Sequence, residues 1–255
     1  GDEFRLALFR YDEPEGQAPP ELPGAVREVL REHIVYEATG PSCHVKQWRQ
    51  LTPEIVAGYD YVWHWDGDVS AEFFSWGIFR HYLVELEPLL AQPSILGPGP
   101  SGKYGKSTMW TSLRMQRPRS DGLIAAASEV KWVEMMAPAI SARLWPILQR
   151  RMLTISGLYP FPIEKFWNNL NLWGFRHGCR RLGIMVNLAP FRHLDGRRHQ
   201  TGNGTVPYAT PSKECRSMSQ GEVDGFADLA SCPAGTNRST GSRCACCLPG
   251  KSANW

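Results

Sequence analysis

The chain has 255 residues, 42% of them hydrophobic, and a formal net charge of +3. That is enough apolar material for a substantial core, which excludes a disordered or fibrous chain. The small, scattered charge offers no basic footprint for nucleic acid, and no apolar run reaches membrane-spanning length, so no transmembrane segment is expected in this chain.

The opening GDEFRLALFRYD lacks the charged start, apolar block and small-residue cleavage site of a secretory leader. It begins without Met and almost inside a strand, which predicts that a further piece precedes residue 1. Phe4 to Arg10 reads as a buried strand ended by the turn Tyr11-Asp12-Glu13-Pro14. Behind Pro23, Val26, Val29 and Leu30 repeat at helical spacing, and His33 to Tyr36 follows as a short strand. His44 to Ala57 turns helical again, with Val45, Trp48, Leu51 and Ile55 on one side and a break or second helix start at Pro53. This alternation predicts an α/β layered sheet whose ligands bind beyond the carboxyl ends of its strands.

The next stretch, YDYVWHWDGDV from Tyr59 to Val69, organises the rest. Its Tyr, Val and Trp suit a buried central strand, because β-branched and aromatic side chains pack well on a pleated surface. Asp66-Gly67-Asp68 then sets two carboxylates about a glycine that lets the backbone approach a ligand closely. Oxygen ligands on a tight turn suit a hard divalent cation, magnesium or manganese, whose other ligands come from water and substrate phosphates. The same tripeptide is also an ordinary turn sequence.

Ser75 to Leu90 carries apolar residues at three- and four-residue spacing, a helix packed on the sheet, and Pro93 to Leu96 reads as a strand. The loop GPGPSGKYGKST fails as a phosphate cradle: Tyr104 follows Gly102-Lys103 where Ser or Thr is needed, and Pro100 stands where the alternative frame needs glycine. It reads instead as a Gly/Pro loop able to fold over a ligand. Lys131 to Pro138, KWVEMMAP, predicts a strand with one carboxylate, Glu134, inside it. Such a charge is either buried with a partner or a task, or faces water from an edge strand. Ser141 is placed to cap a helix from Ala142 to Ile155, Phe161 to Gly174 reads as a short helix plus loop, and Gly183 to Leu188 as the last strand.

Past Arg198 the composition turns to Gly, Ser, Thr and Pro, so the main fold is expected to span 1–200 and a linker with a cysteine-rich tail 201–255. Cys43 and Cys179 stand alone, whereas Cys215, Cys232, Cys244, Cys246 and Cys247 crowd the tail beside the sequons Asn203-Gly-Thr and Asn237-Arg-Ser. Dense cysteines of this kind point to disulfide staples in an oxidising compartment. Zinc is the rival reading, without a matched pair of CxxC motifs to carry it.

LALFRYD, HVKQWRQLTPEIVAGYDYVWHWDGDV, WVEMMAP, SARLWPILQRRM and LWGFRHGCRRLGIMVNLAPFRHLD, in that order, resemble a glycosyltransferase-like family catalogued as domain of unknown function 707. The likeness is most specific in WDGDV and VEMMAP. It implies a GT-A-like, Rossmann-like fold: a mostly parallel sheet flanked by helices, here lacking the first strand that contacts the nucleotide base, with a small irregular cysteine-rich tail. It further implies a nucleotide-sugar donor, a glycan, protein or small-molecule acceptor, and a divalent cation, manganese more than magnesium. By position, Asp66 and Asp68 would bind the metal, with Asp66 also meeting the donor, His193 would be the third metal ligand, and Lys46 would meet the donor phosphates. Glu134 would be the general base on the acceptor hydroxyl, or would hold that hydroxyl.

The chain departs from that family at Trp173-Gly174-Phe175-Arg176, where members read WGLD. A salt bridge from Arg176 to Glu134 would silence the base, leaving a degenerate module that binds glycan or nucleotide without turnover. SCPAGTNRSTGSRCACCLPGKS, Ser231 to Ser252, resembles one extracellular cysteine-rich repeat of the CPxGT…GSxxCxxCPxGK type. That implies a secretory setting, Golgi lumen or extracellular, and a structural extracellular protein is the third reading.

Overall fold

The computed structural model describes residues 2–10, 24–39, 44–67, 69–96, 125–154, 161–193 and 218–233. The N-terminal part is a β-α-β unit. Strands β1 (Leu6–Arg10) and β2 (Ile34–Thr39) pair in parallel as a two-stranded sheet, with helix α1 (Gly24–Leu30) between them in sequence. Ala7 and Phe9 pack against the main core, and Phe4 meets Trp76 edge-on at 4.9 Å.

A mixed six-stranded sheet forms the centre. Its order is β3 (Tyr61–Trp63), β7 (Ala139–Ser141), β5 (Leu90–Leu96), β8 (Gly183–His193) and β4 (Val69–Ser70), with β6 (Ala127–Glu129) also pairing with β8. The longest pairing, β5 with β8, is parallel, and the four shorter ones are antiparallel. Alternate residues serve opposite faces, as the pleat requires. Leu90 and Ile140 join the cluster of α5 (Trp145–Thr154) and α6 (Phe161–Arg176), whereas Ala91 and Ala139 join Phe79 and Leu83 of α4 (Trp76–Leu86). Helices thus cover both faces.

Local chemistry explains several element ends. Pro53 opens a separate short helix α3 (Pro53–Val56) after α2 (His44–Trp48), since proline is tolerated in a first turn and not inside a helix. Ser75 accepts from Ile78 N at the start of α4, which is closed by Glu87 in the left-handed conformation, φ 42°.

Four expectations need correction. The strand before the Asp-Gly turn is an edge strand, half-buried, and not a central one. Lys131 to Pro138 is not a strand: pairing starts only at Ala139, because side chains occupy the backbone groups of the preceding segment, as described below. Ser141 therefore ends β7 and caps nothing, and the following helix begins at Trp145. Phe161 to Gly174 belongs to one unbroken helix that runs to Arg176.

The packed core also continues past residue 200. Helix α7 (Gln220–Leu229) buries Val223, Phe226 and Ala227 in the cluster with Trp145, Leu148 and Trp173. Its start is a capping box between Ser219 and Glu222, a motif whose cap contributes about 1 kcal/mol. Glu222 also pairs with Arg151 of α5 at 2.8 Å. Cys179, which stands alone in the sequence, lies at disulfide distance from Cys232. The other tail cysteines, both sequons, nearly all of the repeat-like stretch and the Gly/Pro loop at 97–108 lie outside the described residues.

Candidate functional site

Glu134 is carried by an irregular segment whose main chain is held by side chains of α6. Asn168 Oδ1 accepts from Val133 N at 2.7 Å, while Asn168 Nδ2 and Trp167 Nε1 donate to Val133 O at 3.0 and 2.9 Å. One turn on, Asn171 donates to Val130 O and accepts from Gly183 N, both at 2.6 Å. Gln92 of β5 accepts from Glu134 N through its Oε1. Glu164, Asn168 and Asn171 recur at helical spacing on one face, and all three are buried. A buried segment without strand partners must satisfy its N–H and C=O groups in this way. Gly183 is needed for the approach: a Cβ there would lie 2.8 Å from Asn171 Nδ2 and 2.9 Å from Val133 Cγ2.

At the end of this clamp, Trp132 Nε1 donates to Glu164 Oε1 at 2.8 Å, and the Glu164 carboxyl lies close enough to that of Glu134 for each to act on the other. Burial pushes Glu134 up to about 7; hydrogen bonds from Trp132 and Glu164 oppose the rise, and the Asp66 charge adds to it. Burial, then the neighbouring Glu134 charge, holds Glu164 well above the ordinary carboxyl range.

Asp66 forms the other wall. His64 N donates to Pro138 O at 3.0 Å and Asp66 N to Met136 O at 2.9 Å, so the chain beyond β3 runs on beside the segment that carries Glu134. His64 and Asp66 point to one side, Nε2 to Oδ1 3.9 Å. Trp48 Nε1 donates to His64 Nδ1 at 3.1 Å, which makes Nδ1 an acceptor and leaves the proton of the neutral ring on Nε2, toward Asp66. Trp63 and Trp65 point to the other side and stack on Phe191, with centroids 5.8 and 4.8 Å away. Val69 N donates to Asp66 O at 3.3 Å and closes the turn, and a Cβ built on Gly67 would meet nothing within 4 Å.

The structure therefore sets the Asp66 main chain on Met136, two residues from Glu134, close enough for the Asp66 charge to act on the Glu134 carboxyl. His193 ends β8, is buried, and pairs in register with Val69 at the exit of the turn, on the face of Phe191. Asp68 and the side chain of Lys46 lie outside the described residues. Among the described residues no three His, Cys, Asp or Glu side chains form a metal-holding group. Arg176 is exposed at the end of α6 and makes no ion pair with Glu134, whose charged neighbours are Asp66 and Glu164 instead. The silencing salt bridge is thus replaced by a pair of carboxyls.

Glu164, His64, Trp132 and Gln92 escape the sequence reading. The available signal was in FPIEKFWNNLNLW, where Glu164, Asn168 and Asn171 share a helical face among aromatic residues.

No family model, no curated protein and no solved structure matches the chain. The likeness in WDGDV and VEMMAP is one of motifs, and function has to be argued from the site itself.

Proposed function

We propose that the chain is a metal-dependent glycosyltransferase moving a sugar from a nucleoside diphosphate donor to a hydroxyl of a glycan, protein or small acceptor. The observation that supports this reading is the nearness of two half-buried carboxyls: Asp66 on a glycine turn, and Glu134, which burial and then the Asp66 charge raise toward neutrality. Two carboxyls in contrasting surroundings are the usual arrangement for dividing electrostatic and proton-transfer work.

The donor chemistry of the turn fits a manganese-type cation: hard carboxylate oxygens and open space at Gly67 for a diphosphate. Asp66 and Asp68 would hold the ion, and Lys46 of α2 would meet the donor phosphates; His193, on the face of Phe191, is on the side away from Asp66. When bound, the cation would neutralise charge developing on the departing nucleoside diphosphate. Glu134 takes the proton of the acceptor hydroxyl as its oxygen bonds to the sugar carbon and the diphosphate leaves. Gln92 holds the main chain that carries that carboxyl, accepting from Glu134 N. A secretory setting is part of the proposal, supported by the Cys179–Cys232 proximity and the sequons.

A thermal-shift series with manganese and a panel of nucleoside diphosphates tests the reading. A ligand at about a hundred times its Kd stabilises by about 2.7 kcal/mol, so a clear rise is expected when metal and diphosphate are present together. Asp66→Ala and Asp68→Ala should abolish it. A rise that survives both replacements removes the metal site, and no rise with any diphosphate removes the donor.

A further inference from the structure

Exposed aromatic rings elsewhere in the described residues rest on their neighbours. Phe4 meets Trp76 edge-on, the Arg192 guanidinium lies over Phe73 at 4.4 Å, and Trp65 stacks on Phe191 on the side away from Asp66. Trp132 is held differently. It is 38% exposed, yet its Nε1 donates at 2.8 Å to Oε1 of Glu164, a residue of α6 that is only 3% exposed. An N–H aimed at a carboxyl oxygen favours the charged form, and a bond to that form is the stronger kind. A solvent-facing indole is thus tied by its edge to an anchor inside the protein.

The segment that carries the indole is fixed as well. Asn168 and Trp167 hold both main-chain groups of Val133, and Gln92 accepts from Glu134 N. Val133 is fully buried between two residues that are not, which leaves Trp132 and Glu134 on the outer side of the segment. Two residues of chain span at most about 7 Å, so a ring lying on the indole has its rim within reach of the Glu134 carboxyl. A flat apolar face beside a hydrogen-bond acceptor suits a sugar: the C–H face of a pyranose packs on the indole, and its hydroxyls donate to the carboxylate. Because the indole is already held, little freedom is lost when such a ring arrives.

We propose that Trp132 is a platform on which a sugar ring stacks, with Glu164 as the positioning residue that fixes the orientation of the indole. In the transfer scheme that ring belongs to the acceptor, which selects a glycan or glycoside from among the possible acceptors. This use of the platform rests on the base role proposed for Glu134. The stacking itself does not, and it requires neither metal nor donor.

Nitrogen-15 NMR of the indoles of the full chain, without metal or nucleotide, tests this against the methyl pyranosides of glucose, galactose, mannose, xylose and N-acetylglucosamine. Trp132→Phe identifies the Trp132 Nε1–H resonance by its loss. In the wild type that resonance is expected to shift saturably with at least one pyranoside. Trp132→Ala should weaken the binding about tenfold or more, the effect of losing a contact of about 1.4 kcal/mol. Glu164→Gln keeps an oxygen that accepts from the indole and should bind within about threefold of wild type, whereas Glu164→Leu should lose about tenfold. Trp65→Ala should bind as wild type does. A Trp132 resonance unmoved by every pyranoside overturns the proposal, and so does one moved only by tetramethylammonium chloride, which would mark a site for cations. Binding abolished by Trp65→Ala and kept by Trp132→Ala overturns it too, by placing the sugar on the Phe191 side. Failure of the metal and diphosphate response would remove sugar transfer and leave the Trp132 shift standing; a diphosphate response with a silent Trp132 would do the reverse.

Discussion

The segments bearing Asp66 and Glu134, the two walls of the candidate site, are built on different principles. The wall bearing Asp66 is an edge strand running on past its sheet, held by main-chain bonds from His64 and Asp66 to Pro138 and Met136. The wall bearing Glu134 has no strand partner, and Asn168, Asn171, Trp167 and Gln92 each answer a particular backbone group. Main-chain pairing tolerates almost any side chain, whereas a side-chain clamp depends on every one of its members. The first wall should accept substitution and the second should not.

The largest effect is therefore expected at Asn171. Asn171→Ala strands Gly183 N and Val130 O together, and at about 1 to 3 kcal/mol per buried orphan the loss should reach about 3 kcal/mol in urea unfolding. A loss below about 1 kcal/mol would mean that the clamp is not what holds the segment.

Glu134→Gln should shift stability in the opposite direction at neutral pH. The folded-state value is raised from 4.5 to about 7, so between those limits the folded protein binds more protons than the unfolded one. Stability contributed by the protonated form is then full below about 4.5 and lost as pH rises through about 7. The amide escapes this loss, and above pH 7 the variant should gain on the order of 2 kcal/mol over wild type while losing any transferase activity. Parallel pH–stability curves for the two proteins would contradict the buried, raised carboxyl.

Gly183→Ala should cost about 1 to 2 kcal/mol by forcing a methyl against Asn171 and Val133, measurable as a lower midpoint with unchanged slope. The smallest change in stability is expected on the other wall. Asp66→Asn should stay within about 0.5 kcal/mol of wild type, yet it should lower the pH at which Glu134 titrates, because it removes a charge that raises it. An unmoved Glu134 titration would mean that the Asp66 charge does not reach Glu134.

Where a periodic pattern coincides with burial, the sequence is legible. Ser75 and the apolar spacing behind it mark α4, the apolar run Gly183 to Leu188 marks β8, and Asp66-Gly67 marks a turn at a strand end. Glu134 stands out as a charge in an apolar run and is half-buried. Glu164, Asn168 and Asn171 do not stand out, because a pattern reader assigns Glu and Asn to the solvent side of a helix, and here they face inward to serve a backbone that is not yet in view. The same blind spot turned KWVEMMAP into a strand: apolar content predicts burial, and burial without pairing needs partners far away in sequence. The helix after residue 200 was readable from Ser219-x-x-Glu222 and from Val223, Phe226, Ala227 and Ala230, but the Gly- and Ser-rich surroundings masked it.

That last helix has a practical consequence. Phe226 packs edge-on to Trp173 and touches the space left by Gly174, so a shortened chain ending at residue 200 would strip a cover from the hydrophobic interior and leave Arg151 without Glu222. Expressed alone, such a fragment should aggregate or unfold far more readily than the whole chain. The stretch that looks like an appendage is a structural keystone, and any dissection of this protein has to cut beyond it.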